Sequence, residues 1–206
     1  MITRLVRYAG LAAYVNGVTG VLGAILLITF FAVGQPFGTL NDITALPWAL
    51  ALIPVMFALH QYSQGRASWL SRLGLILGFA GVLGVLVFQT LLIFGVITLW
   101  QELPYINASF GLIGLWLILV NRLAHPSPIA SRRLAWLGIA IGALWVVGNI
   151  ASWIGGMPPN GVDATAAFSQ MNPISLLGYT LILLAYLLEP FWALWLRRTL
   201  SSAKVG

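Results

Sequence analysis

The feature that most constrains this chain is the recurrence of six long apolar stretches joined by short connections, at 9–33, 46–62, 73–99, 105–121, 134–155 and 174–196. These approach or exceed the roughly 17 to 25 residues a helix needs to cross a bilayer, and in lipid a helix satisfies its own backbone hydrogen bonds. Of 206 residues, 60% are hydrophobic and 7% charged, against about a quarter charged in soluble domains. The sequence predicts an all-α fold: a single domain over 1–206, a polytopic membrane bundle of six transmembrane helices. The stretches at 46–62 and 105–121 are the shortest, and the former contains Pro47 and Pro54.

The basic residues decide how such a bundle sits. Arg4 and Arg7 precede the first stretch, and Arg66 and Arg72 lie between the second and third. Arg122, Arg132 and Arg133 lie between the fourth and fifth, and Arg197, Arg198 and Lys204 follow the sixth. These are all 10 Lys and Arg residues, whereas the alternate connections hold Asp42, Glu102 and Asp163 and no basic residue. Cytoplasmic loops carry the excess of Lys and Arg, so both termini are expected to be cytoplasmic. A missed or invented span would break the alternation. The formal charge of +6 then forms a rim against anionic headgroups, worth about 1 kcal/mol per residue near the surface, and nucleic-acid binding is rejected. Arg4 and Arg7 look like the start of a secretory signal, but the apolar run behind them is too long and lacks a small-residue cleavage site, so the first stretch is expected to stay. With no cysteine, disulfides, thiol catalysis and Cys-ligated metals are excluded.

A possible internal repeat runs through the odd-numbered stretches. Gly10, Gly74 and Gly138 are 64 residues apart, as are Gly20, Gly84 and Gly148. Leu11-Ala12 aligns with Leu75-Ile76, and Gly17-Val18 with Gly81-Val82. Each odd stretch follows arginines and precedes a shorter returning one, which suggests three tandem helical hairpins related by an axis along the membrane normal. Chance matching among glycine-rich helices is the alternative. At about 100° per residue, Gly74, Gly78, Gly81 and Gly95 share one face, and Gly138, Gly142 and Ser152 another. Small residues permit the close contact on which helix association in lipid relies, so these faces should meet other helices and carry Gln89 and Asn149 inward.

The connection at 34–45 reads as a Gly, Pro and Asn/Asp loop in which Asn41 or Asp42 caps the next helix. The connection at 156–173 is the longest and contains Asp163. Trp48, Trp69, Trp100, Tyr105, Trp136, Trp153, Trp192 and Trp195 fall near stretch ends, as interfacial aromatic belts do, which leaves few aromatics for a cofactor box.

Glu189 is the one acid inside an apolar run. Pro190 follows it, leaves the carbonyl of Tyr186 without its helical donor and favours a kink. Gly178, Ala185 and Ala193 share its face, which points Glu189 at protein or a cavity. An intramembrane acid serves by default as a proton relay or cation site; the plainer alternative is a group on the inner third of the helix that reaches water or Arg197. Gln89, Thr90, Asn107, Asn149, Ser152, Tyr179 and Thr180 either line a pathway with Glu189 and Tyr186 or bond across helices at about 1 kcal/mol each. His60 and His125 lie at the basic ends of even-numbered stretches; two histidines can ligate haem or a metal, but no acid lies nearby in sequence, so neither a metal site nor a cofactor is expected. Hydrolase, phosphate-loop and zinc-protease motifs are absent, and no catalytic residue is assigned.

Gly38-Thr39-Leu40-Asn41-Asp42, Leu134-Ala135-Trp136-Leu137-Gly138 and the run from Tyr186 to Arg198 containing Pro190-Phe191-Trp192-Ala193-Leu194-Trp195 resemble stretches of uncharacterised bacterial six-span membrane proteins. The resemblance implies that topology and a bacterial-type plasma membrane, and supplies no activity or site residue. The first reading is a non-enzymatic protein that packs in the bilayer against itself or a larger membrane complex. The second is a small transporter or channel using Glu189 for a proton or cation, and the third a haem protein or membrane enzyme using His60 and His125.

Overall fold

The structure, a computed structural model, describes residues 2–63, 65, 67–125, 131–156 and 170–202. They form six helices and no strand: α1 (Ile2–Val33), α2 (Phe37–Ser63), α3 (Ser68–Ile93), α4 (Leu99–Ala124), α5 (Arg132–Gly155) and α6 (Pro173–Ser202). All six are long and apolar enough to span a membrane, and they pack as a bundle. Lys204, Asp163 and most of the connection before α6 lie outside the described residues, as does Arg66.

Local chemistry sets several helix starts. Thr98 caps α4: its hydroxyl accepts from the backbone N–H of Gln101 while the Gln101 side chain accepts from the N–H of Thr98, a reciprocal capping box. Ser131 accepts from the N–H of Leu134 at the start of α5. Asn172 accepts from the N–H groups of Ile174 and Ser175, both at 2.9 Å, with Pro173 in the first helical position, where its missing donor costs nothing.

α1 begins at Ile2, ahead of the expected 9, and two further helices begin well before the expected boundaries. α2 starts at Phe37 and α4 at Leu99, so Asn41 and Asp42 lie inside α2 and cap nothing, and the supposed loop at 34–45 is mostly helix. Hydropathy underestimates both helices because their first turns are polar and contain or precede proline. Pro47, Pro54, Pro104 and Pro190 all sit within continuous helices, which membrane bundles tolerate because neighbouring groups re-satisfy the freed carbonyls.

Each helix packs on its neighbours in sequence, and α6 returns against α1 to close a ring, with a smaller contact between α2 and α4 across the interior. Contacts are densest within α1–α2, α3–α4 and α5–α6, the three expected hairpins. The six antiparallel crossings put both termini at one end of the bundle, here the terminal end; the opposite end is the far end.

The glycine faces are filled from within the chain. On α3, Gly74 meets Leu119, Gly78 meets Trp116 and Met56, and a methyl on Gly81 would lie 2.7 Å from the Ser109 carbonyl. Gly114 and Gly142 lie against each other's backbone, joining α4 to α5, and Gly148 and Gly178 do the same for α5 and α6. Gly17, Gly20 and Gly23 of α1 receive Leu194, Pro190 and Tyr186 of α6 in turn. Gly95 does not continue the α3 face: it lies beyond the helix at φ +68, exposed, where a left-handed residue ends the chain's run.

Candidate functional site

The α1–α6 closure brings Glu189 into the centre. Pro190 seats on Gly20, turning the preceding Glu189 inward, where it is 2% exposed. At 1.5 Å per residue, Glu189 lies about 24 Å from the start of α6 and about 20 Å from its end, so it occupies the middle of the helix and not its inner third. Its Oε2 accepts a hydrogen bond from Trp48 Nε1 of α2 at 2.9 Å, and its Oε1 has no hydrogen-bond partner. The expected neighbour Arg197 is elsewhere, on the exposed surface with its guanidinium 4.3 Å from the ring centre of Tyr14.

Trp48 is anchored in turn. Its carbonyl accepts from Asn16 Nδ2 of α1 at 2.9 Å, and its ring meets Phe110 and Trp145 edge-on or tilted, with centroids 5.8 and 6.3 Å away. Phe110 stacks on Trp145 and meets Tyr186 edge-on. Trp48 and Trp192 are thus buried, contrary to the expected belt, because α2 starts three turns before Trp48 and α6 continues three turns past Trp192. Trp69, Tyr105, Trp136 and Trp153 are exposed, as a belt requires.

Towards the far end, the Tyr186 hydroxyl donates to Asn41 Oδ1 at 3.1 Å, and Asn41 Nδ2 donates to Asp42 Oδ1 at 3.4 Å. Tyr186 is within electrostatic reach of both Glu189 and Asp42, and Asp42 within reach of Glu102. Glu102 is buried with Oε1 unpartnered. Asp42 is half-buried near the start of α2. Three of the chain's four acids therefore lie in the same part of the bundle, with Tyr186 and Asn41 between Glu189 and Asp42, where the sequence offered Glu189 alone. The signals that mark the other two are the capping box at Thr98, which places Glu102 in the first turn of α4, and the tolerance of membrane helices for Pro47, which puts Asp42 inside α2.

Towards the terminal end the surroundings of Glu189 are mostly apolar, with the buried amides of Asn16 and Asn121 among them. Trp192, Leu196, Leu52, Met56, Trp116 and Leu117 are all buried, and Trp192 Nε1 donates to Asn121 Oδ1 at 3.2 Å.

The other expected path residues are buried but separate. Asn149 donates to the carbonyl of Trp145 on its own helix and lies beside Gly111 of α4. Gln89 is on α3, which makes no extensive contact with α6. His60 Nδ1 is 2.7 Å from Ser71 Oγ, and Ser71 is 2.6 Å from Ser63 Oγ, at the terminal end of α2 and α3. His125 ends α4 with Nδ1 unpartnered. Among the described residues no three His, Cys, Asp or Glu side chains cluster as a metal site would need.

Compared with protein-family models, curated proteins and solved structures, the chain matches none.

Proposed function

We propose that this multi-pass membrane protein moves protons or small cations, with Glu189 as the intramembrane binding group. The observation that carries the reading is Glu189 itself, a carboxyl group buried near the middle of α6 with its Oε1 unpartnered. An acid at that depth is costly, and an ionised one costs more unless a cation stands beside it. Exchange of a proton or cation is the use that such an arrangement suits. With the basic residues on the cytoplasmic side, the Asp42 and Glu102 end faces outward in a bacterial-type plasma membrane.

The packing reading, as a homo-oligomer or accessory subunit, drew its support from glycine faces. Gly74, Gly78, Gly81, Gly138 and Gly142 are buried against the chain's own helices, so they lend that reading nothing. Leu, Ile, Val and Phe side chains form much of the exposed surface.

The test is flux. Purified protein in liposomes holding a pH-sensitive dye is given a pH gradient with the membrane potential clamped, and sodium and potassium gradients in parallel. Glu189→Gln is the matched variant, because its amide oxygen still accepts from Trp48. Flux above protein-free liposomes that Glu189→Gln abolishes is expected. Wild-type protein indistinguishable from empty liposomes, or flux unchanged in the variant, overturns the reading.

A further inference from the structure

The far end of the bundle holds two carboxyl groups that the reading of Glu189 does not use, Asp42 of α2 and Glu102 of α4. We propose that they bind a hard divalent cation, Mg²⁺ or Ca²⁺, from the far-end aqueous phase, and that the bound ion ties α2 to α4. The site is separate from Glu189 and stands whether or not Glu189 moves anything.

The two helices bring the acids to one level. α2 and α4 both start at the far end and so run parallel. They touch across the interior, where the ring centroids of Trp48 and Phe110 are 5.8 Å apart. Asp42 comes before Trp48 and Glu102 before Phe110 in sequence, which at 1.5 Å per residue puts them about 9 and about 12 Å beyond that contact towards the far end. They therefore stand at nearly the same height, and the charge of Asp42 reaches Glu102.

No basic side chain is placed to neutralise the pair. The sequence has no Lys, Arg or His within 8–59, 73–121 or 134–196. Along their own helices the nearest basic groups are His60 and Arg122, about 27 and about 30 Å away. Glu102 is nonetheless 1% exposed, and its Oε1 has no hydrogen-bond partner. A buried carboxylate with neither donor nor counter-charge is costly, and an oxygen so placed, beside a second carboxyl group, serves as a cation ligand.

Both carboxyls are held by their surroundings, as metal-binding carboxylates are. Asn41 Nδ2 donates to Asp42 Oδ1 at 3.4 Å, and Asn41 Oδ1 accepts from the Tyr186 hydroxyl at 3.1 Å, so Asn41 is a positioning residue anchored to α6. The capping box at Thr98 fixes the first turn of α4, with the Glu102 N–H donating to the Thr98 carbonyl at 3.0 Å. A transition metal would want three or more clustered side chains, which the described residues lack. Mg²⁺ keeps several waters and needs only one or two carboxylates, and Ca²⁺ also accepts water among its oxygen ligands. The half-buried Asp42 leaves room for that water, and two carboxylates balance the charge of one such ion.

The test measures binding and needs no transport. Full-length protein in mild detergent is freed of metal with EDTA, returned to chelator-free buffer and unfolded thermally in rising MgCl₂ or CaCl₂, with NaCl holding the ionic strength constant. Either ion is expected to raise the unfolding midpoint by several degrees. Asp42→Asn and Glu102→Gln should each abolish that shift, whereas Glu189→Gln and Asp163→Asn should keep it. A midpoint that Mg²⁺ and Ca²⁺ move no more than NaCl does, as two carboxyls sharing a proton would give, overturns the proposal. So does a shift that survives in Asp42→Asn or Glu102→Gln, or is lost in Glu189→Gln. Should an acid variant fail to fold, Tb³⁺ decides: its emission, sensitised by Trp100 near Glu102, should appear in the wild type, fall on adding Ca²⁺ and weaken in Trp100→Phe. Emission absent, indifferent to Ca²⁺ or unchanged in Trp100→Phe rules the site out. Metal stabilisation without flux would sink the transport reading and keep this site; Glu189-dependent flux without metal stabilisation would do the reverse.

Discussion

Glu189 and Trp48 are joined across 141 positions of sequence, and among the described residues neither side chain makes another hydrogen bond. Interhelical hydrogen bonds in lipid contribute about 1 kcal/mol, and a buried group left without its partner costs somewhat more. Trp48→Phe removes the donor and leaves both Glu189 oxygens unpartnered. It is expected to lower unfolding stability in mild detergent by about 1 to 2 kcal/mol. Trp48→Phe combined with Glu189→Leu should recover most of that loss, because then neither partner is left buried and unsatisfied. Equal thermal unfolding of Trp48→Phe and wild type would mean that the indole contributes no net bond. Glu189 was legible in sequence because a charge inside an apolar run is conspicuous. Its partner was not, since Trp48 stands near the start of its apolar run and reads as a headgroup anchor until the helix is known to begin at Phe37.

At the scale of the helix, glycines equivalent in sequence do different work. Gly10, Gly74 and Gly138 are evenly spaced, yet a methyl on Gly10 meets only Leu200 at 3.8 Å, one on Gly74 meets Leu119 at 3.5 Å, and one on Gly138 collides with Asn121. Of Gly20, Gly84 and Gly148, the last two lie against the second helix of their own hairpin, at Ser109 and Gly178, whereas Gly20 lies closest to Pro190 of α6 and less closely to Trp48. Spacing thus revealed which helices carry packing faces, but the partner of each face depends on crossings that no local pattern records. Gly142 lies against the Gly114 carbonyl, and backbone cannot move aside as a side chain can. Gly142→Ala is therefore expected to destabilise the bundle, whereas Gly10→Ala should leave it unchanged or raise its stability by up to about 1 kcal/mol through helix propensity. Thermal unfolding of the two variants in one detergent checks this, and equal effects would contradict internal packing as the role of the α5 glycines.

For the whole molecule, hydropathy and the alternation of arginines were enough to read six helices and an all-α bundle, because both follow from the cost of burying charge and backbone in lipid. Ring closure was not legible. It depends on Tyr186, Pro190 and Leu194 of the last helix fitting Gly23, Gly20 and Gly17 of the first, a match that means nothing until α1 and α6 are known to be antiparallel neighbours. That closure is also what seats Pro190 on Gly20 and Tyr186 on Gly23, and so places Glu189 in the interior. The claim on which the account turns is that Glu189 takes up and gives up a proton, and pH-difference infrared spectroscopy of the reconstituted protein measures it directly. A carboxyl carbonyl band that comes and goes with pH, persists in Asp42→Asn and vanishes in Glu189→Gln is the predicted result. A pH-difference spectrum identical in wild type and Glu189→Gln would contradict it.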